Sequence, residues 1–227
     1  MQQRLHAIQD RIRRAGANRP QGDSVRLVAV SKFQEVTAMQ GLYQAGQRVF
    51  GENYVQELVA KSLLMPEDVE WHMIGHLQRN KVRQLAGRVS WIHTVDSYVL
   101  AHEISNRWGA LGAQPCQVLL QVNIANEASK SGVAPEQLMA LARSVAVLPG
   151  ITVRGLMTIP PMDNDPEASR PYYREMCRLA KHMHEAAIPG ISMTELSMGM
   201  SDDFEVAIEE GATMVRIGSA LFGARPV

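Results

Sequence analysis

The sequence predicts an α/β protein, a single (β/α)8 or TIM barrel with one extra helix at its N-terminus, on three observations. Short β-branched runs alternate with longer segments of helical period, a pattern that implies parallel strands joined by crossover helices. Eight strand runs occur, enough to close a barrel. The first of them leads into Ser31-Lys32-Phe33 and not into the G-x-G-x-x-G turn usual in an open doubly wound sheet.

The elements follow in order. Residues Met1 to Ala17 carry Leu5, Ile8, Ile12 and Ala15 at helical spacing among Arg and Gln. This segment lacks the apolar h-region of a signal peptide and reads as the extra helix. The strand runs are Val25–Val30, Arg48–Gly51, Trp71–Gly75, Val89–Val95, Gln117–Asn123, Thr152–Met157, Glu195–Met198 and Thr213–Ile217. Between them lie helical patterns at Val36–Ala45, Val55–Leu64, Lys81–Ala86, Tyr98–Trp108, Glu136–Leu148, Glu167–Ala187 and Phe204–Glu210. The stretch from Pro160 to Pro166 is rich in turn residues, yet helical pattern resumes directly after it, so it reads as a surface loop. No linker separates domains, and residues 1–227 read as one domain, somewhat short against the ~250 residues typical of this barrel.

Composition narrows the function classes. The 23 basic and 23 acidic residues cancel and form no long run of one sign, which argues against a nucleic-acid or membrane-surface partner. No segment approaches the ~20 apolar residues of a spanning helix. Two cysteines, Cys116 and Cys177, are too few for a disulfide framework, and both are expected to be buried packing residues of a cytoplasmic protein.

In a barrel the functional face is the C-terminal one, built from the βα-loops. The strand ends there read Lys32, Glu52-Asn53-Tyr54, His76, Asp96, Asn123, Met157-Thr158, the Ser197–Ser201 turn and Gly218-Ser219. Lys32, one of five lysines, stands out because it directly follows the apolar run Leu27 to Val30 and Ser31. Partial desolvation there lowers a lysine's pKa, and the free amine attacks carbonyls. Placement alone leaves the alternative open, a lysine whose head reaches water past the rim. The last two strand ends carry Ser201 and Gly218-Ser219 at helix starts, where backbone N–H groups suit an anion and where barrels often bind phosphate. Taken singly, Ser201 and Ser219 read as ordinary N-caps, and Asp202 and Asp203 would repel a phosphate they faced. His72 and His76 share a face only on a regular strand, and no H-E-x-x-H pattern supports a metal site. Ser197 is not in a G-x-S-x-G elbow, which disfavours a hydrolase.

Six stretches resemble those of a known family. They are Val28-Ala29-Val30-Ser31-Lys32, Phe50 to Glu57 (FGENYVQE), Trp71 to Gln78 (WHMIGHLQ), Arg154 to Pro160 (RGLMTIP), Leu196 to Phe204 (LSMGMSDDF) and Val215-Arg216-Ile217-Gly218. Together they are similar to the pyridoxal phosphate homeostasis proteins, which resemble the barrel domain of alanine racemase. The resemblance implies pyridoxal 5'-phosphate (PLP) held as a Schiff base on Lys32, with its phosphate near Ser201 and the backbone of Gly218 and Ser219. It places Arg216 opposite the pyridine nitrogen, where a permanent cation keeps that nitrogen unprotonated and weakens the ring as an electron sink. Asn53, His76 and Lys130 become pocket residues.

A two-base racemase needs a second acid or base, which its additional C-terminal β domain supplies. This chain ends at Val227, and of its tyrosines only Tyr54 lies near the right loops. The expected function is therefore PLP carriage and homeostasis without catalysis. PLP-dependent apoenzymes are the expected recipients, and the carrier is expected to be a monomer. A PLP-dependent racemase using Lys32 as base, and a Schiff-base aldolase without cofactor, are the alternatives.

Overall fold

The structure is a computed structural model that describes residues 1–17, 24–112, 114–127 and 130–223. Eight parallel strands close in sequence order into one barrel. They are β1 (Arg26–Val30), β2 (Val49–Glu52), β3 (Glu70–Met73), β4 (Trp91–Val95), β5 (Cys116–Gln121), β6 (Ile151–Met157), β7 (Ile191–Ser197) and β8 (Met214–Ile217). The helices are α1 (Gln2–Gly16), α2 (Val36–Gln44), α3 (Val55–Ser62), α4 (Val82–Leu85) and α5 (Tyr98–Ala110). They continue with α6 (Leu138–Val145), α7 (Arg170–Glu185), α8 (Phe204–Glu209) and α9 (Ser219–Phe222).

Each predicted strand is found, with one boundary well off. β7 begins at Ile191, four residues before the expected Glu195; its first half sets Ile191 and Met193 between Ser192 and Thr194 and is only partly buried, so it makes no continuous apolar run. That half pairs only with β6 (Val153 with Ile191, Gly155 with Glu195), and β8 joins at Ser197 opposite Met214. The expected extra helix is α1. Its Leu5, Ile8 and Ile12 are buried, and Arg11 reaches Glu205 of α8 at 2.7 Å and stacks over Phe204. Burying each such aliphatic side chain is worth about 1.5–3 kcal/mol, which ties α1 to the helix layer.

Among the described residues most buried apolar side chains fall into two separate clusters. The large one lies between strands and helices. The small one, Trp91, Leu119, Met157 and Met214, takes one residue from each of four strands and fills the barrel interior. Above and beside it the interior is polar, with His72, His93, Ser197 and Arg216 all buried. Cys116 is buried as expected, and burial pushes its thiol up. Cys177 corrects the expectation: it is only partly buried, because its face of α7 looks toward the Glu210 carbonyl at the edge of α8. No helix among the described residues is long and apolar enough to cross a membrane.

Candidate functional site

Strands β1 and β8 pair side by side, Val28 with Arg216 and Ala29 with Ile217. Lys32 and the Gly218-Ser219 loop therefore leave the barrel from neighbouring strands at the same end. Lys32 is half-buried. Its turn is closed by the Gln34 amide donating to the Ser31 carbonyl at 3.0 Å. Phe33 takes a left-handed φ of 61°, a conformation that costs about 1–3 kcal/mol and persists only where neighbours over-determine it. Those neighbours come from β2 and α3. Glu57 accepts from the Phe33 amide at 2.9 Å, and the Lys61 ammonium donates to the Ser31 carbonyl at 2.8 Å.

Lys61 also pairs with Glu52 at 2.8 Å and Glu57 at 2.7 Å. The Ser31 hydroxyl donates to the same Glu52 oxygen at 2.7 Å. Burial pushes the Glu52 carboxyl up, while the bonds from Lys61 and Ser31 pull it back. Its second oxygen, Oε2, is buried with no hydrogen-bond partner. Two lysines thus differ in use: Lys61 is a buried clamp under the turn, and Lys32 stands at the mouth.

The β7 and β8 ends build a backbone cradle. The Ser201 hydroxyl accepts from the amides of Gly218 and Ala220, both at 3.4 Å. It does not cap its own helix, since α8 is preceded by Asp203. Ser219 is exposed and opens α9. Asp203 is occupied elsewhere, accepting from the Met200 amide at 2.7 Å and from the Tyr173 hydroxyl at 2.6 Å. Below this cradle Arg216 is 4% exposed. Its guanidinium donates to the Ser197 hydroxyl at 2.7 Å and the Thr158 carbonyl at 2.8 Å, both neutral acceptors. Burial lowers it to about 10, offset in part by Tyr173 and Asp203.

Asn53, His76 and Lys130 gather on the other side of the mouth. With Thr94, Asn123 and Ser131 they line a cavity of about 210 Å³. Gly75 makes the close approach of these loops feasible: a Cβ there would lie 2.3 Å from the Asn53 carbonyl oxygen. His76 is exposed and its Nδ1 lies 3.2 Å from the Ser131 hydroxyl. Lys130 pairs with Glu127 at 2.7 Å and donates to the Pro160 carbonyl at 3.1 Å. His72 parts from His76. β3 stops at Met73, and His72 faces the barrel interior.

The expected residues therefore form two groups at one end of the barrel. Lys32, Ser201, Gly218, Ser219 and Arg216 belong to β1, β7 and β8, and the cavity residues to the loops after β2, β3 and β5. Sequence reasoning missed the roles of Glu52, Lys61 and Thr158 as supports. Thr158 and Glu52 were visible as polar strand ends, but nothing in the sequence distinguished Lys61 from a surface helical lysine.

Residues 3–226 match the family described as the alanine racemase N-terminal domain. The chain is 46% identical over 208 residues to the pyridoxal phosphate homeostasis protein of Vibrio alginolyticus, covering 89% of this chain and 88% of that one. It is 43% identical over 231 residues to the protein of that name in Haemophilus influenzae, covering 99% and 96%. Among solved structures it is similar to PipY of Synechococcus elongatus PCC7942 with PLP bound. That likeness has 36% identity and a TM-score of 0.84, and covers 98% of this chain and 99% of that one.

Proposed function

Because the chain belongs to the pyridoxal phosphate homeostasis protein family, we propose that it binds PLP covalently through the Lys32 amine and maintains the cofactor's free level without catalysis of its own. The observation that carries the reading is the adjacency of β1 and β8. The half-buried Lys32 follows β1, and the Gly218 and Ala220 amides that meet the Ser201 hydroxyl follow β8, its neighbour. That PipY holds PLP on a barrel of the same architecture supports it.

The residues present fit the group. PLP supplies an aldehyde that condenses reversibly with an amine, releasing water, and a pyridine ring able to draw electrons from the joined carbon. The amides of Gly218 and Ser219 and the Ser201 hydroxyl would hold the phosphate. Buried Arg216 would donate to the ring nitrogen and keep a proton off it, which damps proton abstraction from a bound amino acid. Asn53, His76 and Lys130 would border the ring on the β2 to β5 side. Tyr54 is 48% exposed and packs against Phe33 at 5.4 Å between ring centroids. A solvated phenol in that position suits release better than controlled proton transfer. Delivery would be to PLP-dependent apoenzymes in the cytoplasm.

Protein loaded with PLP is expected to be yellow. Borohydride reduction followed by peptide mass spectrometry is expected to find the added mass on Lys32, with the band lost in Lys32→Ala. An unchanged band in that variant refutes the assignment. Incubation with L-amino acids in D2O is expected to give no exchange at the α-carbon, and steady exchange refutes the non-catalytic reading.

A further inference from the structure

The barrel interior holds a continuous line of side chains from one face to the other. At the C-terminal end Arg216 Nη1 meets the Ser197 hydroxyl at 2.7 Å. Ser197 meets His93 Nδ1 at 2.9 Å, and His93 Nε2 meets His72 Nδ1 at 2.9 Å. His72 Nε2 then meets Glu70 Oε1 at 3.0 Å, at the first residue of β3. Arg26, the first residue of β1, donates to the same oxygen at 3.0 Å. Ser197, His93 and His72 are 0% exposed, so these bonds lie away from bulk solvent. The Trp91 ring stacks on His72 at 5.7 Å and Arg26 lies over that indole at 5.5 Å, which fixes the lower end.

The two ends determine every proton in the line. An ionised carboxylate only accepts and a guanidinium only donates. Glu70 stays ionised because the bond from His72, then the charge of Arg26, hold its carboxyl low. Burial pushes both imidazoles down, His93 farther, so each is neutral with one donor and one acceptor nitrogen. His72 must then carry its proton on Nε2, facing Glu70, and present a bare Nδ1. His93 must carry its proton on Nε2, facing His72, and present its own bare Nδ1. The Ser197 proton therefore points at His93, and its oxygen is left to accept from Arg216. The opposite orientation would set the bare Nε2 of His72 against the lone pairs of Glu70.

We propose that Ser197, His93, His72 and Glu70 form a one-directional hydrogen-bond column that fixes the orientation of Arg216, making Glu70 a positioning residue for the cofactor site from the opposite face of the barrel. Its effect on a ligand rests on the PLP reading above; the order of protons does not. Ser197 and the Thr158 carbonyl together hold two guanidinium N–H groups in one plane, so the remaining edge has a fixed direction.

Nitrogen-15 NMR of the cofactor-free protein tests the column directly. Both His72 and His93 are expected as neutral Nε2–H tautomers near neutral pH. An Nδ1–H tautomer or an imidazolium at either position overturns the proposal. Glu70→Gln places an amide that can donate or accept at the lower end, so the tautomer preference should be lost. With PLP added, the bound-cofactor absorbance band should shift and affinity fall about tenfold, the value of one charge-assisted hydrogen bond. Glu70→Asp restores the accept-only end and should recover both readouts. Arg26→Gln breaks the same ion pair but keeps the carboxylate, and should leave the tautomers unchanged. Altered tautomers in Glu70→Gln with an unaltered PLP band overturn the positioning role. Wild-type protein that shows expected tautomers but no PLP band refutes the cofactor reading, and with it the role at the site, while the proton order is upheld.

Discussion

Lys61→Met perturbs the clamp under the Lys32 turn, and its magnitude follows from what each partner loses. Glu57 is 27% exposed at its side chain and recovers water, so its share is about 0–1 kcal/mol. Glu52 is 0% exposed and already has one unpartnered oxygen. Stripping the cation from a buried pair costs about 3–5 kcal/mol. Glu52 escapes that cost by taking up a proton. Its folded pKa already lies above the usual carboxylate value because of burial, and loss of Lys61 raises it further. A group with a raised folded pKa contributes stability below its unfolded pKa and loses it as pH rises through the folded one. The deficit of Lys61→Met is therefore small near about pH 5, where lost hydrogen bonds leave about 1–2 kcal/mol. It grows to the full value near about pH 8, where melting should fall by about 6–20 °C relative to wild type. Thermal melts at the two pH values measure this. The double variant Lys61→Met with Glu52→Gln should recover most of the loss at high pH, since the neutral amide leaves no charge to strand. Equal losses at both pH values, or no recovery in the double variant, would refute the reasoning.

Three further outcomes are expected. Gly155→Ala sets a Cβ 1.8 Å from the Glu195 carbonyl oxygen, so β6 and β7 must part; urea titration should show a loss of at least about 3 kcal/mol, the upper range of overpacking. Ser201→Ala removes the hydroxyl that meets the Gly218 and Ala220 amides; binding of PLP should weaken about tenfold by absorbance titration while binding of unphosphorylated pyridoxal stays the same. Tyr173→Phe deprives Asp203 of its 2.6 Å donor in a buried setting, and denaturation should read a loss of about 1–3 kcal/mol.

What the sequence made legible follows from how barrels are patterned. β1 is buried along most of its length and reads as an apolar run, and β1 and β8 end at the mouth on Ser31-Lys32 and Gly218-Ser219, which is how Lys32 and the Gly218 loop came into view. The interior did not announce itself. A strand of a barrel is covered on both faces, so an inward His93 and an outward Ile92 are both buried and no alternation separates them. His72 appeared only as a neighbour of His76, although the end of β3 at Met73 turns one into the lumen and leaves the other at the mouth. The first half of β7 escaped notice for a different reason: Ile191 and Met193 alternate with Ser192 and Thr194 over four residues and are only partly buried, so no continuous apolar run marks the strand. Lys61 shows the limit most clearly. Its helix gives it a solvent-like i,i+4 pairing with Glu57, and only the fold brings Glu52 and the Ser31 carbonyl to the same ammonium.

The two buried cations near the mouth are neutralised differently, and that difference assigns their chemistry. Lys61 gives bonds to two carboxylates and a carbonyl, so its donors are all engaged in holding the turn. Arg216 gives its bonds to a hydroxyl and a carbonyl, while the carboxylate of Asp203 is engaged by Met200 and Tyr173. Its charge is therefore met by dipoles and not cancelled by direct contact, and dipoles leave a positive field directed toward the mouth. On the proposed reading, a chain whose formal charge is zero overall would use that charge to attract the anionic cofactor where β1, β7 and β8 end. Lys61 supports the turn, and on that proposed reading Arg216 would face the ring and Lys32 would be the amine that meets the aldehyde.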